Sequence, residues 1–268
     1  AKGQTLVNIL DLEEGEKITA CISVDAFDEE HYLTMVTRRG VIKRTPLKEY
    51  EYQRKGGKIA LNLDEGDELL FVRCTTGDCE LMLATRNGQA VRFHEENARV
   101  MGRTARGVRG ISLREGDEVV GVAVIEEGKE LLCVTENGFG KRSPFDDFRL
   151  MAHRGGYGVT CYNITEKSGA LTGISAVDDN DDLMLITDGG TIIRTPVAGI
   201  PTRSRSAGGV IIMKMADGQK IANFTKVAHA EESEEAEEDT EAPETDAAEP
   251  VDVTNAGVVG AQTEEEHE

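Results

Sequence analysis

Apolar runs of four or five residues recur along the chain, each leading into a polar turn that ends in glycine. "YLTMV" precedes "TRRG" at Gly40, "LMLA" precedes "TRNG" at Gly88, "LLCV" precedes "TENG" at Gly138, and "LMLI" precedes "TDGG" at Gly190. The four glycines are 48, 50 and 52 residues apart. A second short run follows each turn and carries a cation four positions past the glycine: Arg44, Arg92, Arg142 and Arg194. Thr-Pro or Ser-Pro comes next in three of the four. Short strands separated by Asn-Gly or Gly-Gly read as hairpins, because glycine supplies the positive φ of a tight turn. Helical periodicity is sustained nowhere.

Each unit then repeats a second half. A basic loop with glycine ("QRKGGK", "GRTARGVRG", "HRGGYG", "RSRSAGG") leads to a strand-like run ("IALNL", "GISL", "VTCYNI", "VIIMK"). A turn at Gly66, Gly116, Gly169 or Gly218 follows, acidic in the first two as "DEGDE" and "REGDE", and a fourth apolar run closes the unit. The turns read as solvated hairpin ends; "DEGDE" lacks the alternate ligands of a calcium loop. Four strands in about 50 residues, repeated, predict an all-β radial array of four-stranded blades. The predicted units are 31–78, 79–129, 130–181 and 182–229. Residues 1–30, "AKGQTLVNILDLEEGEKITACISV" and its continuation, match only the second half of a unit. They predict a partial blade, four and a half to five blades in all, and a ring whose closing piece lies elsewhere.

Charge divides the chain in two. Of 50 acidic residues, 16 lie in Ala230–Glu268, which has no Lys or Arg, so residues 1–229 hold 34 acids against 30 cations. The overall net charge of -20 therefore describes a near-neutral body, 1–229, and an acidic tail, 230–268. The tail is poor in large apolar side chains and is expected to be disordered. No apolar run approaches the roughly 18 residues of a membrane span, so no membrane association is expected, and the cytoplasm is the default location. Five cysteines without C-x-x-C spacing (Cys21, Cys74, Cys79, Cys133, Cys161) suggest reduced, strand-borne thiols rather than a zinc site or a disulfide framework.

The candidate chemistry is cationic. Arg54, Lys55 and Lys58 flank Gly56 and Gly57, so that backbone amides and side-chain charges can meet an anion together. Arg103, Arg106 and Arg109 repeat the arrangement, as do His153 with Arg154 and Arg203 with Arg205. Arg38, Arg39 and Arg86 in the turns, and Lys43, Arg44, Arg92, Lys141, Arg142 and Arg194 on the following strands, complete the set. Two readings of the strand cations remain open: protection of an exposed strand edge, or contact with phosphate. No recognition helix, zinc finger or aromatic stacking platform is present, so any nucleic-acid contact would be sequence-tolerant.

The repeats resemble the C-terminal domain of the A subunit of bacterial DNA gyrase over residues 1–229. "TENGFGKRSPFDDF", "LMLITDGGTIIRTPV" and "GVRGISLREGDEVV" are the most specific passages. The family box Q-R-R-G-G-K-G compares with Gln53-Arg54-Lys55-Gly56-Gly57-Lys58-Ile59, in which Ile59 departs. The resemblance implies a β-pinwheel, a propeller-like ring whose blades exchange strands, here without its first blade. It also implies that duplex DNA wraps on a basic outer rim to support ATP-dependent negative supercoiling by the whole type IIA topoisomerase. The implied partners are double-stranded DNA, the breakage-reunion domain of the gyrase A polypeptide and the gyrase B polypeptide, in a heterotetramer inside a bacterial cell. ATP, magnesium and the catalytic tyrosine belong to other parts of that enzyme. This chain is then non-catalytic, needs no cofactor, and uses Tyr50, Tyr52, Tyr157 and Tyr162 for packing. An acidic tail beside a basic rim would compete with DNA. The alternatives are the corresponding domain of topoisomerase IV, a propeller-like protein-interaction scaffold and, more remotely, an enzymatic propeller.

Overall fold

The computed structural model describes residues 16, 18–52 and 57–229. Residues 1–15, half of the expected partial blade, and the acidic tail lie outside that range. So does the stretch Gln53–Gly56 at the heart of the first basic loop.

The described chain is built from sixteen short strands in four sheets. The first unit contributes β1 (Tyr32–Thr37), β2 (Val41–Pro46) and β3 (Leu69–Thr75). The second has β4 (Glu80–Thr85), β5 (Gln89–His94), β6 (Val108–Arg109) and β7 (Val119–Val124). The third has β8 (Glu130–Thr135), β9 (Phe139–Pro144), β10 (Leu150–Met151), β11 (Val159–Thr160) and β12 (Leu171–Val177). The fourth has β13 (Asp181–Thr187), β14 (Ile192–Pro196), β15 (Val210–Ile211) and β16 (Ile221–Ala228). The expected all-β blade architecture is what the chain adopts.

Local chemistry makes the hairpins. Each T-x-x-G turn closes with the glycine N–H donating to the threonine carbonyl at 2.9–3.1 Å. In three of them the threonine hydroxyl also accepts the N–H of the residue after the glycine: Val41, Gln89 and Thr191. Gly138 and Gly190 take φ of +82° and +81°, a region that costs an L-residue about 1–2 kcal/mol. The acidic turns are more than solvated ends. Asp67 accepts the N–H of Arg39 at 2.9 Å, and Asp117 that of Asn87 at 3.0 Å, so each carboxylate pins the neighbouring hairpin turn.

Strands of one unit complete the sheet of another. β6 pairs with β2, β11 with β5 and β15 with β9, so each donated strand comes from the following unit. In each case the carbonyl of the turn glycine, Gly40, Gly88 or Gly138, accepts two N–H groups from the donated segment. The fourth sheet, β14-β13-β16, has no such strand among the described residues. The run Ile59–Leu63, expected as a strand, forms none, and neither do residues 18–30. Three apolar clusters lie along the array, one between the first and second sheets around Ile42, Phe93 and Ile111. The next surrounds Leu131, Phe145, Phe148 and Tyr162, and the third Leu132, Leu183, Leu185 and Ile221. The core is therefore interleaved between sheets. β3, β7, β12 and β16 contact one another in turn and, with Thr19–Ile22, line a central cavity of about 620 Å³. β2, β5, β9 and β14 and the basic loops consequently lie at the opposite, outer edge.

Candidate nucleic-acid interface

The four strand arginines share one position and one kind of duty. Arg92 Nε meets Glu80 at 2.6 Å, and its NH1 donates to the carbonyl of Phe145 at 2.7 Å in the next unit. Arg142 reaches Glu130 at 3.4 Å and Asp179 at 2.6 Å, and donates to the carbonyl of Ile200 at 2.7 Å. Arg194 pairs with Asp182 at 2.7 Å. Arg44 finds Tyr32 where the other units have an acid, and stacks on the ring at 4.6 Å while donating to Gly77 O. These arginines join strands and units, a use that neither edge protection nor phosphate contact anticipates. Lys43 and Lys141 are buried completely. Lys43 Nζ donates to the carbonyls of Ala60 and Arg103, and Lys141 Nζ to those of Ser204 and Arg205 at 2.7 Å. Burial, aided by the charge of Arg103, pushes the Lys43 amine down to about 8, and burial lowers Lys141 as well. As direct phosphate contacts these two are corrected: no surface of either side chain is open to a ligand.

Arg38 and Arg86 sit toward the axis, beside a second cavity of about 340 Å³. Arg38 lies 3.1 Å from Glu68 and 3.6 Å from Glu118; Arg86 lies 3.8 Å from Glu118 and 3.0 Å from Glu136; Lys220 reaches Glu136 at 3.1 Å. The alternating charges link successive units. Burial opposes the ionisation of Glu136, yet Lys220, a backbone N–H and Arg86 together hold its carboxyl below the usual range. Arg39 is exposed and makes no ion pair among the described residues.

The basic loops stand on the outer edge, stacked one on the next. Arg103 NH1 donates to Ile59 O at 3.3 Å, Arg154 NH1 to Arg109 O at 2.7 Å and Arg205 NH1 to Thr160 O at 3.0 Å. Arg106 pairs with Asp64 at 3.1 Å but remains 77% exposed. Lys58 Nζ donates to Glu49 O at 3.3 Å, and Gly57 is exposed at φ +70°. Arg109, His153 and Arg203 are exposed, and their side chains have no hydrogen bond or ion pair to any described residue. Arg54, Lys55 and Gly56 lie outside the described residues.

A family profile described as "DNA gyrase C-terminal domain, beta-propeller" matches residues 1–25, 31–76, 80–126, 129–178 and 181–228. The chain belongs to this family. The DNA gyrase A protein of Clostridium acetobutylicum is 51% identical over 221 residues, 82% of this chain and 26% of that protein. The gyrase A protein of Halalkalibacterium halodurans is 49% identical over 222 residues, 83% of this chain and 26% of its own length. The Escherichia coli K12 protein is 39% identical over 221 residues, 82% of this chain and 25% of its length. The chain thus spans about a quarter of these relatives. Among solved structures, the C-terminal domain of DNA topoisomerase IV aligns with a TM-score of 0.79 at 29% identity, covering 85% of this chain and 71% of that one. The DNA gyrase A C-terminal domain aligns at 0.75 and 26% identity, covering 84% and 75%.

In this member of the gyrase C-terminal domain family, two rim cations escape the sequence reading. Arg99 and Arg149 are exposed, without ion pair among the described residues, and each is followed by an exposed apolar residue, Val100 at 46% or Leu150 at 40%. Both follow the 3-10 turn after an outer strand, beside the parallel contacts Arg44–Val100 and Arg92–Leu150. The signal was in the sequence: "ARVM" and "FRLM" are equivalent passages, 50 residues apart.

Proposed function

We propose that this chain is the DNA-wrapping part of a gyrase A protein, bending duplex DNA along its outer edge for a type IIA topoisomerase whose catalytic centres lie in other segments. The observation that carries the reading is the set Arg99, Arg109, Arg149 and Arg203: exposed, unpaired among the described residues, and spread over three consecutive units. Most other cations of the array are tied into ion pairs or onto carbonyls, so these four retain their charge for a polyanion. Lys58, Arg106 and His153 flank them. Contact is with phosphates rather than base edges. Bending a site of about 20–30 base pairs costs on the order of 1–6 kcal/mol, which contacts spread along a curved edge offset. The partners on this reading are duplex DNA, the breakage-reunion segment of the same polypeptide and the gyrase B protein, in the bacterial cytoplasm. The likeness to the topoisomerase IV domain keeps that enzyme as the second reading, while the curated relatives cited above are all gyrase A proteins.

The test is binding of the chain to duplexes of increasing length across a salt series. Affinity should rise with length and fall linearly on a log-log plot, and replacing all four arginines by Ala should flatten the slope by about 3–4. An unchanged slope in the fourfold variant overturns the assignment.

A further inference from the structure

The basic loops contain a second recurrence that the phosphate reading does not use. Arg103, Arg154 and Arg205 each stand four residues before a glycine that opens a donated strand, in "RTARGV", "RGGYGV" and "RSAGGV". Each guanidinium donates to a carbonyl of the preceding unit's loop: Ile59, Arg109 and Thr160. Two of those acceptors, Arg109 in β6 and Thr160 in β11, are themselves the second residues of donated strands. The arginine therefore fastens a strand that has already crossed to the sheet before it.

Further bonds run along the same seam. Arg154 Nε donates to Asn97 O at 2.8 Å, Gly155 N to Gly110 O at 2.7 Å and Ser112 N to Gly156 O at 2.9 Å. Gly209 N donates to the Tyr162 hydroxyl at 2.8 Å, and Asn62 Nδ2 to Thr104 O at 2.6 Å. The backbone of the fastening arginine is held in turn. The buried amine of Lys43 takes the carbonyl of Arg103, and that of Lys141 takes the carbonyl of Arg205. The second unit has Val91 at the lysine position, and there Arg154 takes Asn97 O as a second acceptor. A planar fork of N–H donors suits two fixed carbonyls, whereas a lysine ammonium is a single mobile point.

We propose that Arg103, Arg154 and Arg205 are positioning residues which join successive rim loops into one continuous element, and so set where Arg109, Arg149 and Arg203 present their charge. This rests on the DNA reading above but makes a different demand of each arginine. A phosphate contact needs charge, and lysine replaces it tolerably. A fastening needs the fork, and lysine does not replace it.

The experiment compares Arg154→Lys, Arg154→Ala and Arg149→Ala in the full chain, measuring affinity for one duplex across a salt series. Amide exchange of Ser112 and Gly155 is followed without DNA. Fastening predicts that Arg154→Lys binds as weakly as Arg154→Ala, about tenfold below the parent, with an unchanged salt slope. It also predicts faster exchange at Ser112 and Gly155 in both Arg154 variants, with an unchanged melting temperature for the rest of the fold. Arg149→Ala, in contrast, lowers the slope by about one and leaves those amides protected. If Arg154→Lys binds like the parent and Arg154→Ala lowers the slope by about one, Arg154 is a phosphate contact and the inference falls. If the Arg154 variants lose affinity only in proportion to unfolded protein, the role is stability alone and the inference also falls. Accelerated exchange in both Arg154 variants of a chain that binds no duplex leaves the fastening in place and removes the DNA reading instead.

Discussion

The third and fourth sheets begin from the same plan and end differently. β8 and β13 occupy one place in it, β9 and β14 the next, β12 and β16 the innermost. In the third sheet the carbonyl of Gly138 accepts the N–H groups of Ile212 and Met213 at 2.9 and 3.2 Å, and β15 lies along β9. In the fourth, Gly190 receives no such donors among the described residues, and Ile192 on β14 is 56% exposed. The strand arginine follows the same division: Arg142 is 11% exposed and Arg194 is 45% exposed. The same glycine-closed turn, its N–H on the threonine carbonyl in both sheets, therefore gives a closed outer edge only where the next unit supplies a strand. The turn sequence specifies a hairpin, and the neighbour decides whether that hairpin becomes an interior element.

The sharpest way to break this comparison is at the turn glycines. A Cβ on Gly138 would run into the carbonyl oxygen of Met213, whereas a Cβ on Gly190 meets nothing within 4 Å. Gly138→Ala should cost about 3–4 kcal/mol, combining the left-handed backbone with loss of the donated strand's hydrogen bonds. Gly190→Ala should cost only the backbone part, about 1–2 kcal/mol. Urea midpoints of the two variants would show the difference, and equal costs would mean that the donated strand contributes little.

The lysine position gives the second contrast. Lys141→Met removes the charged amine's bonds to the carbonyls of Ser204 and Arg205 and should destabilise by about 2–3 kcal/mol, while Ile193→Met at the matching point of β14 should stay within about 1 kcal/mol. Next come the arginines themselves. Arg142→Ala removes a bond to Ile200 O and two acids from a nearly buried site and should cost about 1.5–2 kcal/mol, against less than about 1 kcal/mol for the open pair of Arg194.

The remaining effect is a slope with pH. Burial lowers the folded-state pKa of Lys43 to about 8 from an ordinary 10.5, so below about 8 the amine is charged in both states and the burial penalty is present in full. As pH rises through 8 the folded amine releases its proton while the unfolded one keeps it until 10.5, so the unfolded state binds more protons and stability rises. The neutral amine still has N–H groups for Ala60 O and Arg103 O, and the loop keeps its bonds. Parent and Lys43→Met should therefore diverge in denaturation midpoint as pH is raised from 8 toward 10.5, the parent gaining. Parallel curves would place the Lys43 titration elsewhere.

What was legible in the sequence is what a few adjacent residues determine. The T-x-x-G turn needs a threonine hydroxyl, a carbonyl and a positive φ within one short turn, so the period and the hairpins could be read directly. Two of the donated strands fall inside expected runs, β11 in "VTCYNI" and β15 in "VIIMK", but which sheet each joins could not be read, because its partner lies in another unit. "GISL" reads as a strand on its own apolar pattern, yet the pairing falls just before it, at Val108–Arg109. Ile59–Leu63 has the same pattern and forms no strand, because pattern alone does not supply an edge to join. The cations were found but not sorted. Their sorting depends on Glu80, Glu130 and Asp182 across the hairpin and on carbonyls one unit away. The acids stand at or next to the start of each preceding strand: Glu80 and Glu130 open theirs, and Asp182 is the second residue of its own.

The borrowed strand also puts a clock into the making of this molecule. Val41 must wait for Arg109, which follows it by about 70 residues, so at roughly 5–20 residues per second on a ribosome the first sheet stays open for several seconds after its hairpin has emerged. Every unit hands the same delay to the next. Through each such interval the edge of the newest hairpin stands bare, and a bare strand edge is where a wrong partner can pair.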